Sequence, residues 1–395
     1  MHARPRFPLF LPAISSLFAA TTLAQSEILV SSRFTDQVLR YDLASGAFLG
    51  VFAAGGGLDN PVGLTFGPDG NLYVASGETD QVLRYDGASG AFLRVFAQGG
   101  GLDAPRQVNF GPDGGLYVAS GATNRILRFD GASGAFLGVF ASGGNLSGPT
   151  SFTFGPGGDL YVGSVNTNRV KRFNGQTGAF IGNFVTQGLN GPHDVAFGPD
   201  GLFYVTNAFD IRVRRYDGTT GALVDLFIFD PALSGALGLA WDELGRLYIA
   251  NQGQNEVRRY DGATGAYIDS PVAPGSGGLS GPLFAVFRPN APLTIHAPVP
   301  GIAGATNWLA ASGATPGAGV LITAGRTRAL WVLPGCSPLI GLPRSGLFVP
   351  CMADESGRAL FRWQAPTGLS GVRFFLRAAE PSSCTASALA PFRFL

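Results

Sequence analysis

The stretch PVGLTFGPDGNLYVASGETDQVLRYDGASGAFLRVF, residues 61–96, decides the fold. Its first apolar run, Val62 to Phe66, ends in Gly67-Pro68-Asp69-Gly70. Pro fixes φ there and Gly supplies a positive φ, so a tight turn follows. A second run covers Leu72 to Ser76, and a third is Val82-Leu83-Arg84-Tyr85. Asp86-Gly87-Ala88-Ser89-Gly90 then turns the chain into a fourth, Ala91 to Phe96. Short runs with period-2 alternation and Gly-rich turns read as β-strands, and no amphipathic helix competes.

The pattern recurs along the chain. An aromatic followed by Asp or Asn stands at Tyr41-Asp42, Tyr85-Asp86, Phe129-Asp130, Phe173-Asn174, Tyr216-Asp217 and Tyr260-Asp261, at steps of 44, 44, 44, 43 and 44 residues. A second aromatic anchor recurs at Phe66, Phe110, Phe154, Phe197, Trp241 and Phe287. Four strands per period of about 44 residues is the layout of a propeller blade, and both anchors count six. The phase predicts how the ring closes. Ile28-Leu29-Val30 matches the second strand of a blade, so the first blade lacks its innermost strand. The repeat ends on an unmatched innermost strand, Leu283 to Phe287, which completes it. An open solenoid would leave both mismatched ends as bare sheet edges.

Pro61 to Ala75 resembles the NHL-repeat propellers, and most nearly the bacterial branch grouped with streptogramin lyase. The resemblance covers residues 27–290 and implies the fold; that fold hosts enzymes, binders and scaffolds alike. It also implies, for the lyase branch, a pair of histidines and a carboxylate with magnesium. His193 is the only histidine in the repeat region, so that activity does not carry over. The calcium-dependent lactonase-like propellers imply Glu, Asn and Asp around the channel; Glu78, Asn166 or Asn207, and Asp194 imitate that set in type only.

Repetition within one chain separates structural columns from functional ones. Arg40, Arg84, Arg128, Arg172, Arg215 and Arg259 form a sixfold column, as do the acids or amides after the aromatic anchor. Such columns serve the blade. Tyr73, Tyr117, Tyr161, Tyr204 and Tyr248 read as core or interblade packing. A site on a ring needs asymmetry. The variable column opens the innermost strand: Val62, Arg106, Thr150, His193, Leu237 and Leu283. The next column holds Gly63, Gln107, Ser151, Asp194, Gly238 and Phe284. Arg106, Gln107, Thr150, Ser151, His193 and Asp194 are therefore expected to form a polar arc at the channel mouth, on three successive blades. Val62, Leu237, Leu283 and Phe284 form the opposite, apolar arc. Such a mouth suits a small ligand. Arg33, Glu78, Asn166, Asn207 and Asn251, in loops after the second strands, are further candidates.

Composition narrows the chemistry. Among 395 residues there are 3 His, 3 Cys and 2 Met, against 59 Gly and 27 Pro. A multi-histidine metal centre or a zinc-finger array has almost nothing to be built from. No Gly-x-Ser-x-Gly elbow, phosphate loop or His-Glu-x-x-His motif occurs. A Ser–His–Asp arrangement would have to use His193, and Asp194, adjacent in the strand, points to the other face. No catalytic residue, metal site or cofactor is assigned. Residues 25–290 carry a net charge of −6 and residues 291–395 of +5, with no run of basic residues, which argues against nucleic acid.

The ends add context. Arg4 and Arg6, an apolar run from Phe7 to Ala20 and Thr22-Leu23-Ala24 read as a signal peptide, residues 1–24, with no later membrane span. The protein is then expected to be secreted, periplasmic or at the cell surface. After Asn290 the repeat stops, and short runs at Val320–Thr323, Ala329–Val332, Ala359–Trp363, Val372–Leu376 and Pro391–Leu395 suggest a small β-sandwich over residues 291–395. Cys336, Cys351 and Cys384 all lie there. Export favours one disulfide, and Cys336–Cys351 would contribute about 3 kcal/mol in the chain-entropy model. The sequence thus describes an all-β chain, a six-bladed propeller followed by a small β-sandwich. Its leading function is that of a binding module for an unknown extracellular ligand or protein. A lyase- or lactonase-type enzyme at the channel mouth and a structural surface protein are the alternatives.

Overall fold

The computed structural model describes residues 27–242 and 244–288 with their side chains, and beyond them only the backbone of strands between Thr294 and Arg393. The signal segment 1–24 and the proposed Cys336–Cys351 pair lie outside the described residues. Six four-stranded antiparallel sheets form from residues 27–287. Blade two contains Pro61–Phe66, Leu72–Ser76, Gln81–Tyr85 and Phe92–Gln98, from the innermost strand outward. Blades three to six repeat this from Pro105, Pro149, Pro192 and Ala236. Blade one takes its innermost strand, Pro282–Phe287, from the far end of the repeat, beside Glu27–Ser32. Ile28 faces Phe287, Leu29 faces Val286 and Val30 faces Ala285. The ring therefore closes as the phase of the repeat requires.

Packing between blades explains the aromatic columns. The Tyr73 ring, 1% exposed, meets Phe96 of its own blade at 4.7 Å and Phe110 of the next at 5.0 Å, both edge to face. Tyr117, Tyr161 and Tyr204 repeat the arrangement. Edge-to-face contact places a positive ring edge on a negative ring face and adds to the burial of large apolar surface. The arginine column is a ladder of ion pairs. Arg84 bonds Asp69 at 2.5 Å, Arg172 bonds Asp159 at 2.7 Å and Arg215 bonds Asp225 at 2.6 Å, while Arg128 and Arg259 take Asp113 and Asp269. The acid or amide after each aromatic anchor closes a turn onto the Ser or Thr three residues on, as Asp86 does with Ser89.

A further repeated stitch joins neighbouring blades. Asp36, Asp80, Asn124, Asn168 and Asn255 sit at positive φ in the loop after the second strand. Asn and Asp tolerate that region better than other side-chain-bearing residues. Each Oδ1 accepts the backbone N–H of Asn60, Ala104, Gly148, Gly191 or Gly281, where the chain enters the next innermost strand. The stitch fixes the rim of one end of the channel.

Beyond the propeller, Thr294–Val299, Thr306–Ser312 and Ala359–Gln364 pair as one sheet. Gly319–Gly325, Leu347–Met352, Arg373–Glu380, Thr385–Ala386 and Ala390–Arg393 pair as another. The packing of the two sheets expected of a sandwich lies outside the described residues. Among the described residues no helix is long and apolar enough to cross a membrane.

Candidate binding site at the channel mouth

The variable columns vary because the ladder releases them. Between the innermost and second strands the pairing jumps from Pro61 to Leu64, and likewise from Pro105 to Val108, Pro149 to Phe152, Pro192 to Val195 and Ala236 to Leu239. The two residues in each gap are 62–63, 106–107, 150–151, 193–194 and 237–238. A bulge frees a side chain from the alternation of the pleat and re-aims it, which is why bulges sit beside sites.

The six polar candidates divide into two sets. Thr150, Ser151 and Asp194 are buried in the wall. Thr150 Oγ1 donates to the carbonyl of Pro192 at 3.1 Å. The Asp194 carboxylate joins three blades: Ser151 of blade four donates to Oδ1 at 2.5 Å, Val195 N–H of its own blade donates at 2.8 Å, and Leu239 N–H of blade six donates to Oδ2 at 2.7 Å. Burial pushes the Asp194 pKa up to about 6, against the pull of these three donors. Thr206 Oγ1 supports the same wall, accepting from Asp194 N–H at 3.0 Å and donating to the Leu237 carbonyl at 2.6 Å.

Arg106, Gln107 and His193 remain partly open. Two of them hold buried polar atoms that have no partner among the described residues: Gln107 Oε1 and His193 Nδ1. Buried polar groups are nearly always paired, so an orphan needs an explanation. The His193 ring lies 5.6 Å from Phe284, which belongs to blade one, past blade six. Burial, then the Arg106 and Arg33 charges, depress its pKa to about 3, so the imidazole is neutral at physiological pH. Burial and the Arg33 charge also depress Arg106, against the pull of the Glu78 carboxylate. Neither arginine makes an ion pair among the described residues, unlike the ladder arginines. Opposite them, Val62, Leu237, Leu283 and Phe284 pack into one apolar cluster.

The oxygen-ligand set does not converge. Glu78 is held by Asn60 at 2.9 Å, Asn166 bonds Ser147 at 3.2 Å, Asn207 accepts from Asn190 N–H at 2.8 Å, and Asp194 is in its three-blade clamp. Among the described residues no group of three or more His, Cys, Asp or Glu is placed to hold a metal ion. Asn251 is likewise spent, bonding the Ala232 carbonyl and Glu256.

Sequence reasoning gave little weight to two residues that matter. Arg33, in a short 3-10 turn at the end of the second strand of blade one, is one of the two cations acting on His193. Thr206 stands where Ala75, Ala119, Gly163 and Ala250 occupy the other second strands. A hydroxyl in a column of small apolar residues was the available signal. Ser31, the other exception, bonds the backbone of Phe284 in the same manner.

No family model and no curated protein matches this chain. Solved structures do. A chain of a nidogen–laminin complex aligns with a TM-score of 0.55 at 14% identity, over 66% of this chain and 97% of its own. A protein of unknown function from Bacteroides caccae aligns at 0.53 and 14%, with the same coverage. A streptogramin B lyase structure aligns at 0.50 and 15%, over 62% of this chain and 79% of its own. At such identities the likeness is one of architecture, and it agrees with the blade count: the chain is a six-bladed β-propeller whose fold is shared with a streptogramin lyase.

Proposed function

We propose that the protein is an exported binding module that takes a small extracellular ligand at the mouth of its propeller channel. The observation that supports this reading is a pair of buried polar atoms at the bulges of blades three and five, Gln107 Oε1 and His193 Nδ1, with no partner among the described residues. The His193 ring of blade five also lies 5.6 Å from the Phe284 ring of blade one, past blade six. Export rests on the basic, apolar and small-residue order of residues 1–24.

A thermal-shift screen of the full chain against neutral, anionic and cationic small molecules and divalent cations tests the reading. A ligand that binds only the folded state raises the unfolding midpoint as its concentration rises. The gain is expected to vanish in Arg106→Gln and to persist in Arg94→Gln, whose side chain lies far out on blade two and bonds the carbonyls of Ala132 and Ser133. Ligands indifferent to Arg106, or no ligand at all, would remove the site. A ligand consumed on incubation would move the reading to an enzyme.

A further inference from the structure

One seam of the ring is built differently from the rest. Asp36, Asp80, Asn124, Asn168 and Asn255 stitch each blade to the entry of the next innermost strand, which covers five of the six seams. Between blades five and six the position belongs to Ile211. It packs on the apolar cluster around Leu233 and Ala236 and offers no side-chain acceptor to the strand entry at Gly235.

Two other devices change at the same place. The rings of Phe48, Phe92, Phe136 and Phe180 cover Gly277, Gly56, Gly100 and Gly144 of the preceding loops so closely that a Cβ there would lie 2.2 to 2.5 Å from a ring carbon. Blade six carries Tyr267 in that column, and its ring takes the Arg258 guanidinium at 4.1 Å. In the third strands, Leu39, Leu83 and Leu127 pack in the apolar cores against the preceding blades. The same column continues as Lys171, Arg214 and Arg258. The seam between blades three and four keeps its stitch and Phe180, and that between four and five keeps its stitch. Among the described residues, only the seam between blades five and six lacks all three devices. The ladder between the second and third strands of blade five also stops at Thr206–Val213, one pair earlier than in the other blades.

What closes this seam is polar at both ends. On the outside, Asp230 Oδ2 accepts the Tyr260 hydroxyl at 2.8 Å and pairs with Arg258 at 3.1 Å. At the channel wall, Leu239 N–H donates to Asp194 and the Thr206 hydroxyl donates to the Leu237 carbonyl. An ion pair that still reaches water contributes less than a buried leucine in its place. Proteins open locally where apolar contact is thinnest. We infer that the ring has a gate: it opens between blades five and six, with Asp230 as its outer latch, and opening parts the channel wall where Asp194 meets Leu239.

The test places one cysteine at a time at matched positions of the full chain and follows its alkylation by iodoacetamide, read on the peptide that carries it. Val213 and Leu247 line the two walls of the gate, and Val82 and Leu116 the two walls of the seam between blades two and three; all four are 0% exposed. Val213→Cys and Leu247→Cys are expected to react about 10- to 100-fold faster than Val82→Cys and Leu116→Cys, the equilibrium effect of one missing buried leucine. Each cysteine shortens a matched side chain, so the loss of packing cancels in the comparison. Asp230→Asn keeps an acceptor for the Ala232 N–H and Tyr260, and is expected to speed the two gate positions further while leaving the other two unchanged. Equal rates at the two seams overturn the gate. A fast Val213→Cys beside a slow Leu247→Cys overturns it as well, because fraying of blade five alone would expose one wall. Asp230→Asn that changes no rate, or changes all four alike, overturns the latch.

Discussion

Removing the Asp194 carboxylate tests the reading of the channel wall most directly. In Asp194→Ala, Val195 N–H keeps the Ser151 Oγ as an acceptor at 3.1 Å. Leu239 N–H and the Ser151 hydroxyl lose theirs. Two buried donors left unpaired cost about 4 kcal/mol together, at the middle of the usual range. That figure holds where Asp194 is protonated. Its folded pKa of about 6 lies above the ordinary 3.8. Between those values the folded protein holds a proton that the unfolded chain has released. The group's stabilising contribution is therefore complete below its unfolded pKa and declines as pH rises through about 6. The loss approaches 3 kcal/mol, roughly two pKa steps at about 1.4 kcal/mol each. The penalty for Asp194→Ala is thus about 4 kcal/mol near pH 4 and about 1 kcal/mol near pH 7.5. Urea unfolding of the full chain, followed by circular dichroism at both pH values, measures it. Other carboxylates titrate equally in both proteins and cancel in the difference. Asp194→Asn is a control that keeps the volume and cannot ionise, so its difference from wild type must show the same pH slope. A penalty that is flat with pH, or that grows as pH rises, refutes the argument that burial dominates the three donors.

Three further outcomes follow from the packing. Tyr73→Phe removes one hydrogen bond, that of the phenol to Asp69 at 2.9 Å, and is expected to cost about 1 kcal/mol, whereas Tyr73→Ala opens the interblade core and costs about 4 kcal/mol by urea midpoint. Gly90 has φ of +74°, and a Cβ there would lie 1.7 Å from the Phe52 carbonyl oxygen, so Gly90→Ala is expected to cost more than about 2 kcal/mol; a neutral substitution would disprove the close approach. Arg288 N–H donates to Glu27, so alternation makes Val286 the next donor, to Leu29. Val286→Pro should open that seam, with hydrogen exchange rising at Ile28–Val30 and unchanged in blades three and four; uniform change around the ring would contradict closure by this strand.

The architecture was legible because every blade states it again. A single Gly-Pro-Asp-Gly is a turn; six aromatic anchors at one spacing fix the blade count, and a half-blade at each end fixes the closure. Column identity also separated the ladder arginines from site candidates, and each ladder arginine does have its acid. The acids themselves were not predictable. Asp69 and Asp113 come from the turn between the first two strands, while Asp225 and Asp269 come from the fourth strand. Arg40 takes a third source, Glu27 of the second strand at 3.9 Å, and such different solutions to one electrostatic need look unrelated in sequence.

The candidate site could be read by position and not by direction. Variation marked residues 106–107, 150–151 and 193–194 as places where the blades differ, and the register shifts of the innermost strands fall at these residues. What it lacked was the bulge. A strict two-residue alternation sends neighbours to opposite faces and predicts nothing more. With the ladder interrupted at those residues, one neighbour turns toward the axis and the other toward the adjoining blade. Gly63 and Gly238 show the second direction, since a Cβ at either would strike the next innermost strand at Arg106 O or Leu283 O. Ser151 and Asp194 occupy that same column, and they fill the seam with a hydrogen bond where glycine fills it with close approach. Gln107 shares the column, and its Oε1 has no partner among the described residues, whereas the Ser151 hydroxyl donates to Asp194.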